Sequence, residues 1–151
     1  MRGPMFDGYR LPAGRTVADV GGSDGDVLSQ LLIHEPERRG IVFDLPNIVM
    51  AAQKKLADAG LADRVTAVGG NFFDGVPTAD VYVMSVVLHD WDDDSCVRIL
   101  RNITKAAPPA ARLVLLEMVV PEDLGRVFKV WTEAGRREEP GMLGIEEGAG
   151  P

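Results

Sequence analysis

The chain has 151 residues, 46% of them hydrophobic, and 16 Lys and Arg against 23 Asp and Glu give a formal net charge of −7. That length suits one domain with an ordinary core and leaves no room for a second. The acidic balance excludes a nucleic-acid surface, which needs clustered Lys and Arg, and no apolar run approaches the roughly 18–20 residues of a membrane span.

Short apolar runs alternate with longer amphipathic segments, which predicts an α/β domain built on an open, doubly wound, mainly parallel sheet. A first strand is expected at Thr16–Val20 and a helix at Asp26–His34. A second strand at Gly40–Asp44 leads into a helix over Asn47–Ala59, which starts after Pro46 and stops at Gly60. The third strand, Arg64–Val68, is followed by Gly69–Thr78, a loop without helical period. A fourth strand at Asp80–Val87, a helix at Asp93–Ala106 that ends before Pro108-Pro109, and a fifth strand at Arg112–Met118 complete the pattern. Beyond residue 121 the signal fades. Phe128–Trp131 reads as a sixth short strand, but 133–151 is dominated by Gly, Glu, Arg and Pro, so the domain is assigned to 1–121 and 122–151 to a largely disordered tail. Met1–Asp7 has no apolar stretch before a cleavage site, and the lone cysteine, Cys96, allows no internal disulfide; both suit a cytoplasmic protein. Cys96 reads as a small buried hydrophobe rather than a nucleophile, and His34 as a surface residue.

Open α/β sheets bind ligands beyond the carboxyl ends of their strands. Those ends carry Asp19-Val20-Gly21-Gly22-Ser23-Asp24-Gly25, then Asp44-Leu45, Gly70-Asn71-Phe72, His89-Asp90-Trp91 and Glu117. Gly21, Gly22 and Gly25 permit a tight turn and close approach by a ligand, though a glycine loop alone is a weak signal. Its charge discriminates. Asp19, Asp24 and Asp26 would repel a pyrophosphate, whereas S-adenosylmethionine offers an ammonium and a sulfonium and no phosphate. The plainer reading, that Asp24 and Asp26 cap the next helix, does not account for Asp19 inside a strand. Asp44, 19 positions after Gly25, stands where an acid takes two ribose hydroxyls, or else it is a helix-start acid favoured by the dipole. Leu45 and Phe72 are placed to cover an adenine, with Asn71 on its edge, unless both apolar side chains belong to the core. His89 beside Trp91 reads as a base or as packing, and Asp92-Asp93-Asp94 as a solvated helix start.

The runs Val-Ala-Asp-Val-Gly-Gly-Ser-Asp-Gly (17–25), Phe-Asp-Leu-Pro-Asn-Ile-Val (43–49), Gly-Asn-Phe-Phe (70–73) and above all Leu-His-Asp-Trp-Asp-Asp-Asp-Ser-Cys (88–96) resemble the caffeic acid and hydroxyneurosporene type of S-adenosylmethionine-dependent O-methyltransferases, from about Phe6 to Glu122. The resemblance implies a Rossmann-like class I methyltransferase fold, incomplete at its C-terminal end. It implies S-adenosylmethionine as cofactor, held by Asp19, Gly21, Gly22, Gly25, Asp44, Leu45, Asn71, Phe72 and Ser85. His89 takes the place of the family's general base, oriented by Glu117, acting on a small aromatic hydroxyl substrate with no metal required. Family members dimerise through a helical N-terminal region, and the present sequence begins just before the first strand. Their closing antiparallel hairpin has no evident counterpart in 124–151. Asn71 replaces a usual aspartate, and Ser85 stands where plant members have lysine. Other readings stay open: a cofactor-binding fragment without turnover, a nicotinamide oxidoreductase, and a metal-dependent enzyme using the acidic 90–94 run.

Overall fold

The computed structural model describes residues 9–119, 127–132 and 143–144. Strands β1 (Thr16–Val20), β2 (Arg39–Asp44), β3 (Val65–Gly69), β4 (Val81–Ser85) and β5 (Arg112–Val119) alternate with helices α1 (Asp26–Leu32), α2 (Pro46–Asp58) and α3 (Asp93–Ala106). Two further strands, β6 (Val127–Thr132) and β7 (Leu143–Gly144), follow. The spatial order is β3-β2-β1-β4-β5-β6-β7, with β1 to β5 parallel and β6 and β7 each antiparallel to its neighbour. The chain runs outward from β1 to β3, then returns to place β4 on the other flank of β1. The carboxyl ends of β1 and β4 therefore flank the switch point where such sheets hold ligands.

The parallel strands are apolar on both faces because each face is covered. Val17, Val42, Val81, Val83 and Val114 pack on one side with Leu28, Leu32 and Leu56 of α1 and α2. Ala18, Val20, Tyr82 and Met84 pack on the other with Ile99 and Ile103 of α3. In β4 the alternation Val81, Tyr82, Val83, Met84 sends successive side chains to opposite cores. At the amino edge, away from the switch point, Arg64 donates to the carbonyls of Leu32, Glu35 and Arg38 and so satisfies the end of α1.

Element bounds match the expected ones within a few residues. α3 and β1 coincide with them, and α1 ends at Leu32 rather than His34 because Ile33 already takes the helix-end position. Three features differ. The fourth strand, expected to run to Val87, ends at Ser85, and a one-turn 3₁₀ helix that was not expected follows at Leu88–Asp90. The short strand expected at 128–131 is present as β6, but β7 was not expected. The antiparallel pair that the tail did not promise is thus present, with Leu116 opposite Val130 and Val130 opposite Leu143. The remainder of the segment assigned to a disordered tail lies outside the described residues. Among the described residues no helix is long and apolar enough to cross a membrane.

Candidate active site

Asp19, near the end of β1 before the glycine loop, is buried beneath that loop. It is 1% exposed, and among the described residues neither carboxylate oxygen has a hydrogen-bond partner. Gly22 lies over it: a Cβ there would come within 2.9 Å of the Asp19 Cγ, so only glycine lets the loop close on this side chain. Gly21 adopts φ 74°, and a Cβ on it would strike Val87 at 2.7 Å. The amides of Gly21 and Gly22 both donate to the Phe43 carbonyl, at 2.8 and 3.1 Å, which fastens the loop to the end of β2. Burial, followed by the charges of Asp44 and Asp24, pushes the Asp19 carboxyl up to about 7. A buried carboxylate with no donor and two acidic neighbours is a demand for positive charge.

The other acids of the loop are partly engaged. Asp44 accepts from the amide of Ser23 at 2.9 Å and from that of Leu45 at 2.7 Å, so it joins the glycine loop to the start of α2. Asp24 pairs with Lys55 of α2 at 2.6 Å and accepts from the Asp26 amide at 3.1 Å. The side-chain bond to Lys55 holds the Asp24 carboxyl below its ordinary value. The capping reading of Asp24 therefore holds in part, although Gly25 in the left-handed conformation takes the N-cap position itself. Lys55 escaped the sequence reading because nothing in a chain separation of 31 residues marks the pair. Leu45 is 46% exposed at the start of α2.

Past the end of β3, the Oδ1 of Asn71 accepts from the Phe73 amide at 2.9 Å. Phe72 packs on the α3-side core and meets Phe73 and Trp91 edge-on, with centroids 4.9 and 5.9 Å away. Trp91 and Phe73 close the triangle at 4.7 Å, and the Arg98 guanidinium lies 5.3 Å from the Phe73 ring. An open depression of about 610 Å³ beside this loop is lined by Phe43, Val68, Gly70, Asn71, Asp74 and Val76, among others. Neither Asp19 nor His89 lines it. Ser85 is half-buried at the end of β4.

Beyond Ser85, Val86 sits at φ 57°, a conformation that a β-branched residue adopts only under constraint. The constraint is visible. Its amide donates to the Leu116 carbonyl at 2.7 Å, and Glu117 Oε1 accepts from Val87 and Leu88 at 3.0 and 2.8 Å. The other Glu117 oxygen lies 3.2 Å from His89 Nδ1, while Asp90 lies 3.1 Å from Nε2. The two residues expected to form a pair, His89 and Glu117, are thus brought together across 28 positions of sequence. Glu117 side-chain exposure is 15% and that of His89 is 40%, so the carboxylate is sheltered while the ring still reaches solvent.

Asp92 caps α3 by accepting from the Ser95 amide at 2.8 Å, which bears out the helix-start reading of the acidic run. Cys96 is not the buried hydrophobe expected. It is half-buried and its Sγ donates to the Leu88 carbonyl at 3.3 Å, and burial with the nearby Asp93, Asp92 and Glu117 charges raises its thiol, keeping it protonated. His34 is exposed, as expected.

Fold and edge together define a doubly wound ligand-binding domain whose glycine loop carries unmet negative charge and whose histidine is held by a carboxylate. The chain belongs to the O-methyltransferase domain family, which it matches over residues 4–132. It is similar to the phenazine O-methyltransferase PhzM of Lysobacter antibioticus, 44% identical over 130 residues, which are 85% of this chain and 38% of that protein. It is also similar to the aclacinomycin 10-hydroxylase RdmB of Streptomyces purpurascens, 42% identical over 112 residues, 74% of this chain and 30% of that one. Among solved structures, the O-methyltransferase NcsB1 from neocarzinostatin biosynthesis, in complex with S-adenosylmethionine and 2-hydroxy-5-methyl naphthoic acid, gives a TM-score of 0.67 at 43% identity over 70% of this chain and 33% of that one. The chain spans about a third of the length of the curated relatives it matches.

Proposed function

We propose that this domain binds S-adenosylmethionine on its glycine loop and serves transfer of the methyl group to a hydroxyl of a small aromatic molecule, with His89 as general base. The observation that carries the cofactor reading is Asp19, buried, without a donor among the described residues, and beneath Gly22. An ammonium brought to the loop answers its charge, and a pyrophosphate does not. Asp44 at the end of β2 is the candidate for the ribose hydroxyls, while Leu45, Asn71, Phe72 and Ser85 are the candidates around the adenine and sulfur.

The bound cofactor supplies an electrophilic methyl on a sulfonium, open to in-line attack by an oxygen. The chain supplies the base and its orientation. A phenol with pKa near 10 is protonated at neutral pH, so a histidine base takes its proton as the oxygen attacks. With Glu117 accepting from Nδ1–H, the lone pair that serves as base is on Nε2, where the Asp90 carboxylate stands at 3.1 Å, so the acceptor hydroxyl has to take the place of Asp90 at that nitrogen. Glu117 also supports the imidazolium that forms. The remaining contribution is positioning of acceptor and sulfonium in line. For a chain spanning about a third of its relatives' length, we expect cofactor binding with little turnover, because the acceptor must also be held.

Calorimetry with S-adenosylhomocysteine and NAD tests the cofactor reading. Tighter binding of S-adenosylhomocysteine is expected, with Asp44→Ala weakening it by the loss of charged hydrogen bonds, about 1.5–3 kcal/mol; tighter binding of NAD overturns the reading. A second reading rests on RdmB, a relative named as a hydroxylase rather than a methyltransferase. Mass analysis of the product separates the two, since methyl transfer adds CH₂ and hydroxylation adds oxygen.

A further inference from the structure

Helix α3 presents Ile99, Asn102 and Ile103 to the sheet, spaced as one apolar stripe, and Asn102 is the member that breaks it. Asn102 is 9% exposed, and Asn102 and Asp19 are the buried polar or charged residues of the described chain. Burying an amide costs free energy unless its hydrogen bonds are made. Asn102 Nδ2 makes one, donating at 2.8 Å to the backbone carbonyl of Phe72, 30 positions earlier. The link matters because the connection from β3 to β4 has no helix of its own to fix it. The turn at 71–75 is held within itself, by Phe73 on Asn71 Oδ1 and by Asp74 and Gly75 on the Asn71 carbonyl at 2.9 and 3.2 Å. Asn102 ties that turn to the helix that starts directly after the His89 turn. From Phe72 the connection continues through its ring to Trp91, two residues beyond His89.

We propose that Asn102 is a positioning residue, which holds the 71–75 turn against α3 so that Asn71 and Phe72 stand ready for the adenosyl group, in fixed relation to the His89 turn. The proposal rests on the cofactor reading above for its ligand, but not for its local mechanics. An apolar residue in the stripe would pack as well and would leave the Phe72 carbonyl without a donor.

The test uses the full 151-residue chain with Asn102→Leu, which keeps the volume, and Asn102→Ala as a second variant. Two quantities are read: S-adenosylhomocysteine affinity by calorimetry, and amide hydrogen exchange with mass spectrometry. Both variants are expected to bind S-adenosylhomocysteine roughly ten-fold more weakly, the effect of one lost hydrogen bond on a buried acceptor. Exchange should rise at Phe73, Asp74 and Gly75 while β1 and β4 amides keep their protection. Affinity within two-fold of the parent in both variants overturns the proposal. So does exchange that rises equally in β1 and β4, since Asn102 would then only stabilise the fold. If the parent chain fails to bind S-adenosylhomocysteine, the cofactor reading falls, and the exchange pattern still decides whether Asn102 holds the turn.

Discussion

Replacing Glu117 by glutamine is expected to leave the fold and cofactor affinity intact and to lower turnover about 10²–10⁴-fold, the range a general base contributes, in an active protein that carries this domain. The carboxylate has two separable tasks. Oε1 accepts from Val87 and Leu88 and pins the strained turn at Val86, and Oε2 faces His89 Nδ1. In Glu117→Gln the amide oxygen still takes both backbone donors. Its NH₂ then faces Nδ1, which must become the acceptor, so the ring proton moves to Nε2 and the nitrogen meant to receive the phenol proton already carries one. Glu117→Ala instead loses both tasks, and should cost stability as well as turnover. Comparing kcat and thermal midpoints of the two variants checks the separation. Turnover of Glu117→Gln within three-fold of the parent would show that the histidine tautomer does not matter here.

Asp19→Asn is expected to move stability and affinity in opposite directions. In the unfolded chain a carboxyl ionises near its ordinary value of 3.8, but in the folded domain it holds its proton up to about 7. The folded state therefore binds more protons between these values. The stabilisation is fully present below pH 4 and is lost as pH rises through about 7. Asparagine has no charge to bury and escapes that loss. Above pH 7 the ligand-free variant should therefore be more stable than the parent, by up to on the order of 4 kcal/mol at 1.36 kcal/mol per pKa unit, and near pH 4 the two should converge. Affinity for S-adenosylhomocysteine should fall about 10- to 100-fold, since a charged partner for the ligand ammonium is gone. The parent's affinity should rise with pH through 7 as Asp19 ionises, and the variant's should not. Denaturant unfolding at pH 4 and pH 8, paired with titrations at pH 6 and pH 8, reads all four quantities. A variant that is less stable at pH 8 would mean that Asp19 has a structural partner rather than a ligand to meet.

Local pattern carried much of the architecture. β1 is an apolar run bounded by Arg15 and Gly21, and α3 runs from an acidic start to a Pro-Pro stop, so both ends of each were legible. The candidate ligand edge was placed for the same reason, because the carboxyl ends of parallel strands are fixed once the strands are. What escaped depends on partners far along the chain. Ser85-Val86-Val87 reads as continuing strand, and only Leu116 and Glu117 on β5 turn it into a strained bend with His89 beyond it. Lys55 beside Asp24 and Asn102 beside Phe72 are likewise tertiary matches without a local signature. β7 is two residues in a stretch rich in Gly and Glu, and its pairing comes from β6 rather than from its own apolar pattern.

The most direct measurement is methyl transfer from labelled S-adenosylmethionine to a phenol by an active protein carrying this domain, as parent and as His89→Ala, with magnesium and with a chelator. The predicted result is transfer to oxygen at the same rate in both media, falling about 10²–10⁴-fold in His89→Ala while S-adenosylhomocysteine affinity stays within two-fold. Undiminished transfer in His89→Ala, or transfer by the parent that stops in chelator, would contradict a histidine base.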